Sequence, residues 1–348
     1  MSRFGSQEKD IFMKLEIRIM IFALCAVLAL TTACKKTPIP AEDPQPVGFT
    51  ATSQVVTRTT TPLSQHHTDF GVWGIAREGI NNDYILWDDN ELTQVIKSST
   101  SDDYIPVSNA YWFAGYEYDF IAVAPYTASG ITSTSVNNAT NTLTFAYDLA
   151  PKYALKGTAG LAPKHHYQFD LMAAADHTGP VPASKKTAQN LLFWHLFAKI
   201  TVNVTFADAA GTPVNTGTVS QMRLCNVDTD GIYAVSYDDR QENNLSVTFA
   251  NGTNSNATLT LEGSTGCFHI VPQTVTGFEM YIDFTLNNVE YKDYQLNLNI
   301  VGNPTYYAYN DNYNWNITIG PKAVIDFAVT LADWDEDTVG DDNGITII

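Results

Sequence analysis

The sequence lacks the short patterns that serve catalysis. It has no G-x-S-x-G, no H-E-x-x-H, no glycine-rich phosphate loop and no C-x-x-C pair, which argues against serine hydrolases, zinc proteases, nucleotide hydrolases and dithiol enzymes. Basic residues are also scarce: 19 Lys and Arg stand against 37 Asp and Glu, a net charge of −18. Such a polyanion is poorly suited to hold nucleic acid through its charge. No stretch reaches the roughly 20 apolar residues of a membrane-spanning helix. Charged residues make up only 16% of the chain, so the long solvated helices of a Lys- and Glu-rich protein are not expected. Cysteines number four, of which only Cys225 and Cys267 lie beyond residue 34.

What is present reads as strand. Thr, Asn, Tyr, Val and Gly are prominent, a balance that favours pleated segments joined by polar turns. Phe70 to Ala76, Tyr118 to Tyr126, Asn141 to Tyr147 and Gln168 to Ala174 have β character, with turn-rich pieces such as 79–83 and 128–141 between them. Two-residue alternation places Leu143, Phe145 and Tyr147 on one face. It does the same for Ala198, Ile200, Val202, Val204 and Phe206, for Leu245, Val247 and Phe249, and for Met280, Ile282, Phe284 and Leu286. The series continues with Leu296, Leu298 and Ile300, then Trp315, Ile317 and Ile319, then Ile325, Phe327, Val329 and Leu331. The expected fold is all-β, with two antiparallel β-sandwich domains in tandem.

The first 33 residues read as a signal peptide. Met13 is the expected true start: Lys14 and Arg18 precede an apolar run from Ile19 to Leu30, of secretory rather than spanning length. The run ends in LTTAC, a bacterial lipobox pattern with Thr31 where Leu is usual, which makes Cys34 the expected site of cleavage and acylation. Residues 34–48 hold four prolines after Cys34 and form a tether. A break across residues 175–190, with Gly179, Pro180, Pro182 and Lys185-Lys186, divides an N-terminal domain (49–184) from a C-terminal one (185–348).

Two stretches stand out. Phe49 to Thr61, FTATSQVVTRTTT, reads as a strand ending in a basic residue, and Arg58 is the only Lys or Arg between Lys36 and Arg77. A trypsin-like protease therefore has one place to cut there, before Thr59. At the other end, the acidic turn DEDTVGDDNG precedes Gly344 to Ile348, where Ile345 and Ile347 share one face and Thr346 and Ile348 the other. That segment folds back on its own domain or joins another chain.

Metal and cofactor sites are not expected. The pairs His66-His67 and His165-His166 place neighbours on opposite strand faces, and His195 lies in an apolar strand. Asp228, Asp230 and Gly231 form a DxDG turn without the rest of a calcium loop. The tail carboxylates Asp333, Asp335, Asp337, Asp341 and Asp342 read as a hinge held open by self-repulsion. Export makes a disulfide between Cys225 and Cys267 possible, against two buried thiols or, with His269, an incomplete zinc site.

The lipobox, VTRTTT, FGVWGI, YWF followed by YDFIAVAPY, LLFWHLFAKI around His195, FHIVPQT around Gln273 and the closing NITIGPKAVIDFAVTLADW together resemble the fimbrillin family of Bacteroidales, the pilin lipoproteins of type V pili. The resemblance spans nearly the whole chain. It implies two tandem transthyretin-like sandwiches, a palmitate-bearing precursor held at the outer membrane through Cys34, and cleavage after Arg58 by an arginine-specific protease. It implies further that Phe49 to Thr57 leave a groove, filled by a C-terminal strand of another fimbrillin subunit, here Ile345, Thr346, Ile347 and Ile348. The function so implied is a structural or accessory subunit of surface fimbriae serving adhesion, with a tip or anchor position as a variant. The rival is a monomeric surface lipoprotein that binds glycan or host protein through exposed members of Trp73, Trp87 and Trp112.

Overall fold

The computed structural model describes residues 45–332 apart from 55–59, 64–66, 80–82, 88–90, 127–130, 138–139, 149–170, 183–187, 240–244, 254–256, 275–276, 297, 299–304 and 321–323. Among the described residues there is no α-helix. In the first half the strands are β1 (Phe49–Gln54), β2 (Thr60–Pro62), β3 (Asp69–Arg77), β4 (Asp83–Ile85), β5 (Thr93–Lys97), β6 (Asp103–Pro106), β7 (Glu117–Ala124), β8 (Ile131–Asn137), β9 (Thr142–Asp148), β10 (Met172–Thr178) and β11 (Gln189–His195). In the second half they are β12 (Ala198–Phe206), β13 (Gly217–Val227), β14 (Asp230–Tyr237), β15 (Leu245–Asn251), β16 (Ala257–Glu262), β17 (Thr265–Ile270), β18 (Gln273–Thr274), β19 (Glu279–Leu286), β20 (Val289–Leu296), β21 (Tyr306–Tyr307), β22 (Asn312–Ile319) and β23 (Val324–Ala332).

The first half closes on itself. Strands run β11-β10-β7-β3-β5-β6-β1, and direct pairing of β1 with β11 completes a ring. Among the described residues each of these seven strands is paired on both sides, while β2 and β4 of the same sheet pair only with β1 and β3. Its interior holds Phe49, Phe70, Tyr104, Tyr118, Phe120 and Phe193, all essentially inaccessible. Strands β3 and β7 are buried along almost their whole length because their outer faces are covered too. That double burial explains the unbroken apolar runs FGVWGIA and FIAVA, which alternation alone would not produce. Space is tight there: a Cβ at Gly74 would come within 2.8 Å of Phe120.

The covering layer is the sheet β15-β14-β9-β8. Leu143, Phe145 and Tyr147 on β9 share one buried face, as alternation predicts, and meet Trp73, Ile75, Ile121 and Val123 together with Tyr233, Val235 and Leu245. Strand β8 corrects the expectation of a turn over 128–141. It is an edge strand of Ser and Thr paired only with β9, a composition that signals polarity more strongly than strand.

The second half contains a sandwich of two four-stranded sheets, β17-β12-β22-β23 and β16-β13-β19-β20. Ala198 to Phe206, Met280 to Leu286 and Trp315 to Ile319 contribute their alternate residues to one core, as expected. Leu296 and Leu298 join it, and Val329 packs against it half-buried; Ile300 lies outside the described residues. The β19–β20 hairpin turns through Asn287 and Asn288, both at positive φ (52° and 62°), the mirror-image turn that matches strand twist.

Strand membership crosses the expected boundary at 184/185 twice. Strand β11 continues the first-half ring, and β14–β15 return to pair with β9. Leu245, expected in the second core, is accordingly buried against the first half with β14.

Candidate functional site

Strand β1 occupies an interior position in the ring. On one side Phe49 to Ser53 pair in parallel with Gln189 to Phe193 of β11. On the other, Phe49 and Thr50 pair with Tyr104 and Asp103 of β6, and Thr52 to Gln54 pair antiparallel with β2. Upstream the backbone stays tied: the Val47 amide donates to the Ala110 carbonyl (2.8 Å), and the Trp112 amide donates to Gln45 (3.0 Å). Val47, Phe49, Ala51 and Ser53 point inward, at 2%, 0%, 6% and 1% exposure. The Phe49 ring meets Phe120 edge-on at 5.2 Å, Phe70 at 5.9 Å and Trp87 at 6.4 Å. Such contacts add about 0.5–1.5 kcal/mol per pair beyond burial.

Gln54 and Thr60 are register partners, so β1 and β2 form a hairpin whose connection is residues 55–59. Arg58 and Thr59 belong to that connection and lie outside the described residues. Chain order alone makes residues 55–59 the only covalent link from β1 to the remainder of the fold.

A family model described as fimbrillin-like matches residues 57–334. The chain belongs to the fimbrillin-like family. Among solved structures it is similar to a candidate cell adhesion protein from Bacteroides uniformis (14% identity, TM-score 0.54, 85% of this chain and all of that one). It is also similar to a candidate cell adhesion protein from Bacteroides ovatus (13%, 0.51, 84% and 97%). A fimbrial protein from Bacteroides vulgatus aligns at 13% identity and TM-score 0.49, over 84% of this chain and 99% of its own. No curated protein matches the chain.

The fimbrillin-like fold places the remaining sequence-expected residues as follows. Cys34, the donor segment Ile345, Thr346, Ile347 and Ile348, the tail carboxylates from Asp333 onward, and His66, His165 and His166 lie outside the described residues. Cys225 and Cys267 are free thiols, and the possible bridge between them is not formed. Cys225 is half-buried on β13 and accepts the Thr258 hydroxyl (3.5 Å), whereas Cys267 is buried on β17, in the opposing sheet. His67 and His195 are buried. Of the three tryptophans, Trp73 and Trp112 are core, at 1% and 4% exposure. Trp87 is half-buried against the ring core, its indole N–H donating to Ser108 (2.8 Å). The DxDG carboxylates are engaged by protein donors: Asn251 Nδ2 donates to Asp228 (2.6 Å) and the Thr253 amide to Asp230 (3.2 Å). Among the described residues no group of acidic, histidine and cysteine side chains could hold a metal.

One polar constellation escaped sequence reasoning. Asp119, at 3% exposure, accepts from Arg77, from His177 Nδ1 (2.6 Å) and from Asn141 Nδ2 (2.9 Å). Asp176 beside it accepts the His177 amide (2.9 Å) and Gln189. Strands β3, β7, β10 and β11 are thereby cross-linked, ending at the β11 residue that pairs with Phe49. The signal was a lone Asp inside YDFIAVA, a position where a carboxylate persists only when its charge is matched. The grouping lies in a strand interface, with its oxygens consumed by structural donors.

Proposed function

We propose that this fimbrillin-like chain is a structural or accessory subunit of cell-surface fimbriae, exported as a lipoprotein acylated at Cys34. Cleavage after Arg58 releases β1, and a strand from another subunit takes its place. One observation carries this reading: β1 is an interior strand whose only covalent link to the rest of the ring runs through the segment that contains Arg58.

The energetics fit a switch. Val47 and Phe49 contribute roughly 1.5–3 kcal/mol each by burial, and the ladder bonds about 0.5–1.5 kcal/mol each. While the chain is intact, the strand also competes for its slot at the high effective concentration of a tethered segment. A cut removes that advantage without altering the slot. An incoming strand then has only to match contacts on the order of 10 kcal/mol. The family membership and the adhesion neighbours support a surface role, and buried Trp73 and Trp112 weigh against the glycan-platform rival.

The test is N-terminal sequencing of protein recovered from the cell surface, expected to begin at Thr59. Recovery solely of acyl-blocked chains starting at Cys34 would overturn maturation at Arg58.

A further inference from the structure

The inward positions of residues 47–53 differ in size, and their surroundings account for it. At Phe49 the ring supplies an aromatic cage of Phe70, Phe120 and Trp87. Two and four residues on, Ala51 and Ser53 are equally buried but small. There the room is taken from the other walls: their partners on β11, Leu191 and Phe193, are fully buried, and Phe193 and Tyr104 each sit 5.2 Å from Phe70. Small barrels fill their interiors by such alternation of large and small. The outward positions carry no comparable demand: Thr50 and Thr52 are half-buried, and the Thr50 hydroxyl donates to Asn190 (3.1 Å).

We propose that the slot is a size reader. Once vacated, it selects from another chain an extended strand that presents a large apolar residue, an aromatic residue and then two small residues at successive inward positions. The inference rests on the strand-exchange reading above and adds what the incoming strand must look like. The segment Ile345 to Ile348 supplies branched aliphatics and no aromatic. An isoleucine underfills the Phe49 cage, and one in the place of Ala51 overfills the space beside Leu191. The slot therefore favours a strand of a different subunit over the Ile345 to Ile348 segment of a sister copy.

The test uses the full chain with Arg240→Lys, which leaves Arg77 and Arg223, both ion-paired on strands, as the other arginines after Arg58. Release of the fragment ending at Arg58 is followed by mass spectrometry, and labelled peptides are then titrated. Relative to a peptide of residues 46–54, Phe49→Ala is expected to bind about 100-fold weaker and Ala51→Leu about 10-fold weaker. Thr50→Val should stay within about threefold, and a peptide of residues 344–348 should fall at least about 10-fold short. Equal binding of the Phe49→Ala peptide, or tighter binding of the 344–348 peptide, overturns the size reader. Should the native fragment stay bound and no peptide enter, the strand-exchange reading fails instead. The size preference is then read from chains carrying Phe49→Ala or Ala51→Leu, whose fragments should leave at lower urea than the native one.

Discussion

Strands β1 and β12 begin their halves of the molecule in the same way. Each pairs in parallel with a strand far along the chain, β1 with β11 and β12 with β22, and antiparallel with another, β6 or β17. Their attachments differ. Strand β12 follows β11 after only Leu196 and Phe197, both fully buried. It has nine residues and spans its sheet from Lys199 opposite Asn312 to Phe206 opposite Ile319. Strand β1 has six residues and reaches the rest of the fold through 55–59 alone. On the proposed reading, a similar placement serves as a fixed beam in one half and as a removable stave in the other, β12 having eight partners on β22 where β1 has five on β11.

Cutting the chain after Arg58 breaks this comparison most strongly. Amide protection along β11 and β6 should fall about a thousandfold or more as their partner leaves, while β17 and β22 beside β12 keep theirs; hydrogen exchange before and after cleavage measures both. In the uncut chain, Phe49→Ala should cost about 3–5 kcal/mol in urea denaturation through the emptied cage.

The two halves also differ in how they use charge. Asp119→Ala should cost about 3–5 kcal/mol by leaving Arg77 and His177 facing a buried gap. In the sandwich, Arg223 Nη2 donates to Asp283 (2.8 Å) and Asp293 (2.6 Å) at a partly exposed rim. Arg223→Gln should therefore cost less than about 1 kcal/mol, by the same denaturation measurement. The smallest effect concerns Asp311, whose carbonyl accepts the Lys199 amide of β12. Burial pushes its carboxyl above the usual 3.8, against the Tyr313 hydrogen bond, which pulls it down. A carboxyl raised in the folded state disfavours folding once ionised, so its contribution to stability falls as pH rises from about 3.8 through the raised value. Asp311→Asn should remove that decline, visible as a flatter pH profile of the denaturation midpoint.

Much of this was legible in the sequence wherever a strand has one buried face. The β9, β12, β19 and β22 residues alternate as the cores require. Strand β13 hides its alternation behind register shifts, with Val219, Met222, Leu224 and Val227 inward at uneven spacing. Strand β14 exposes Ile232 and buries Tyr233, which blurs the pattern further. Closure of the ring and the return of β14 to β9 are pairings between distant segments, and local periodicity carries no information about them. The site was half legible: the Thr- and Val-rich stretch before Arg58 announced a strand, but its interior place depends on β11, 140 residues on.

The central claim is that loss of β1 opens a slot another subunit fills. Native chain and Arg58→Ala, each displayed at the cell surface among the other fimbrial subunits and exposed to an arginine-specific protease, should part company on a non-reducing gel run without boiling: a ladder of oligomers for the native chain and monomer for the variant. Equal ladders from both would contradict the account.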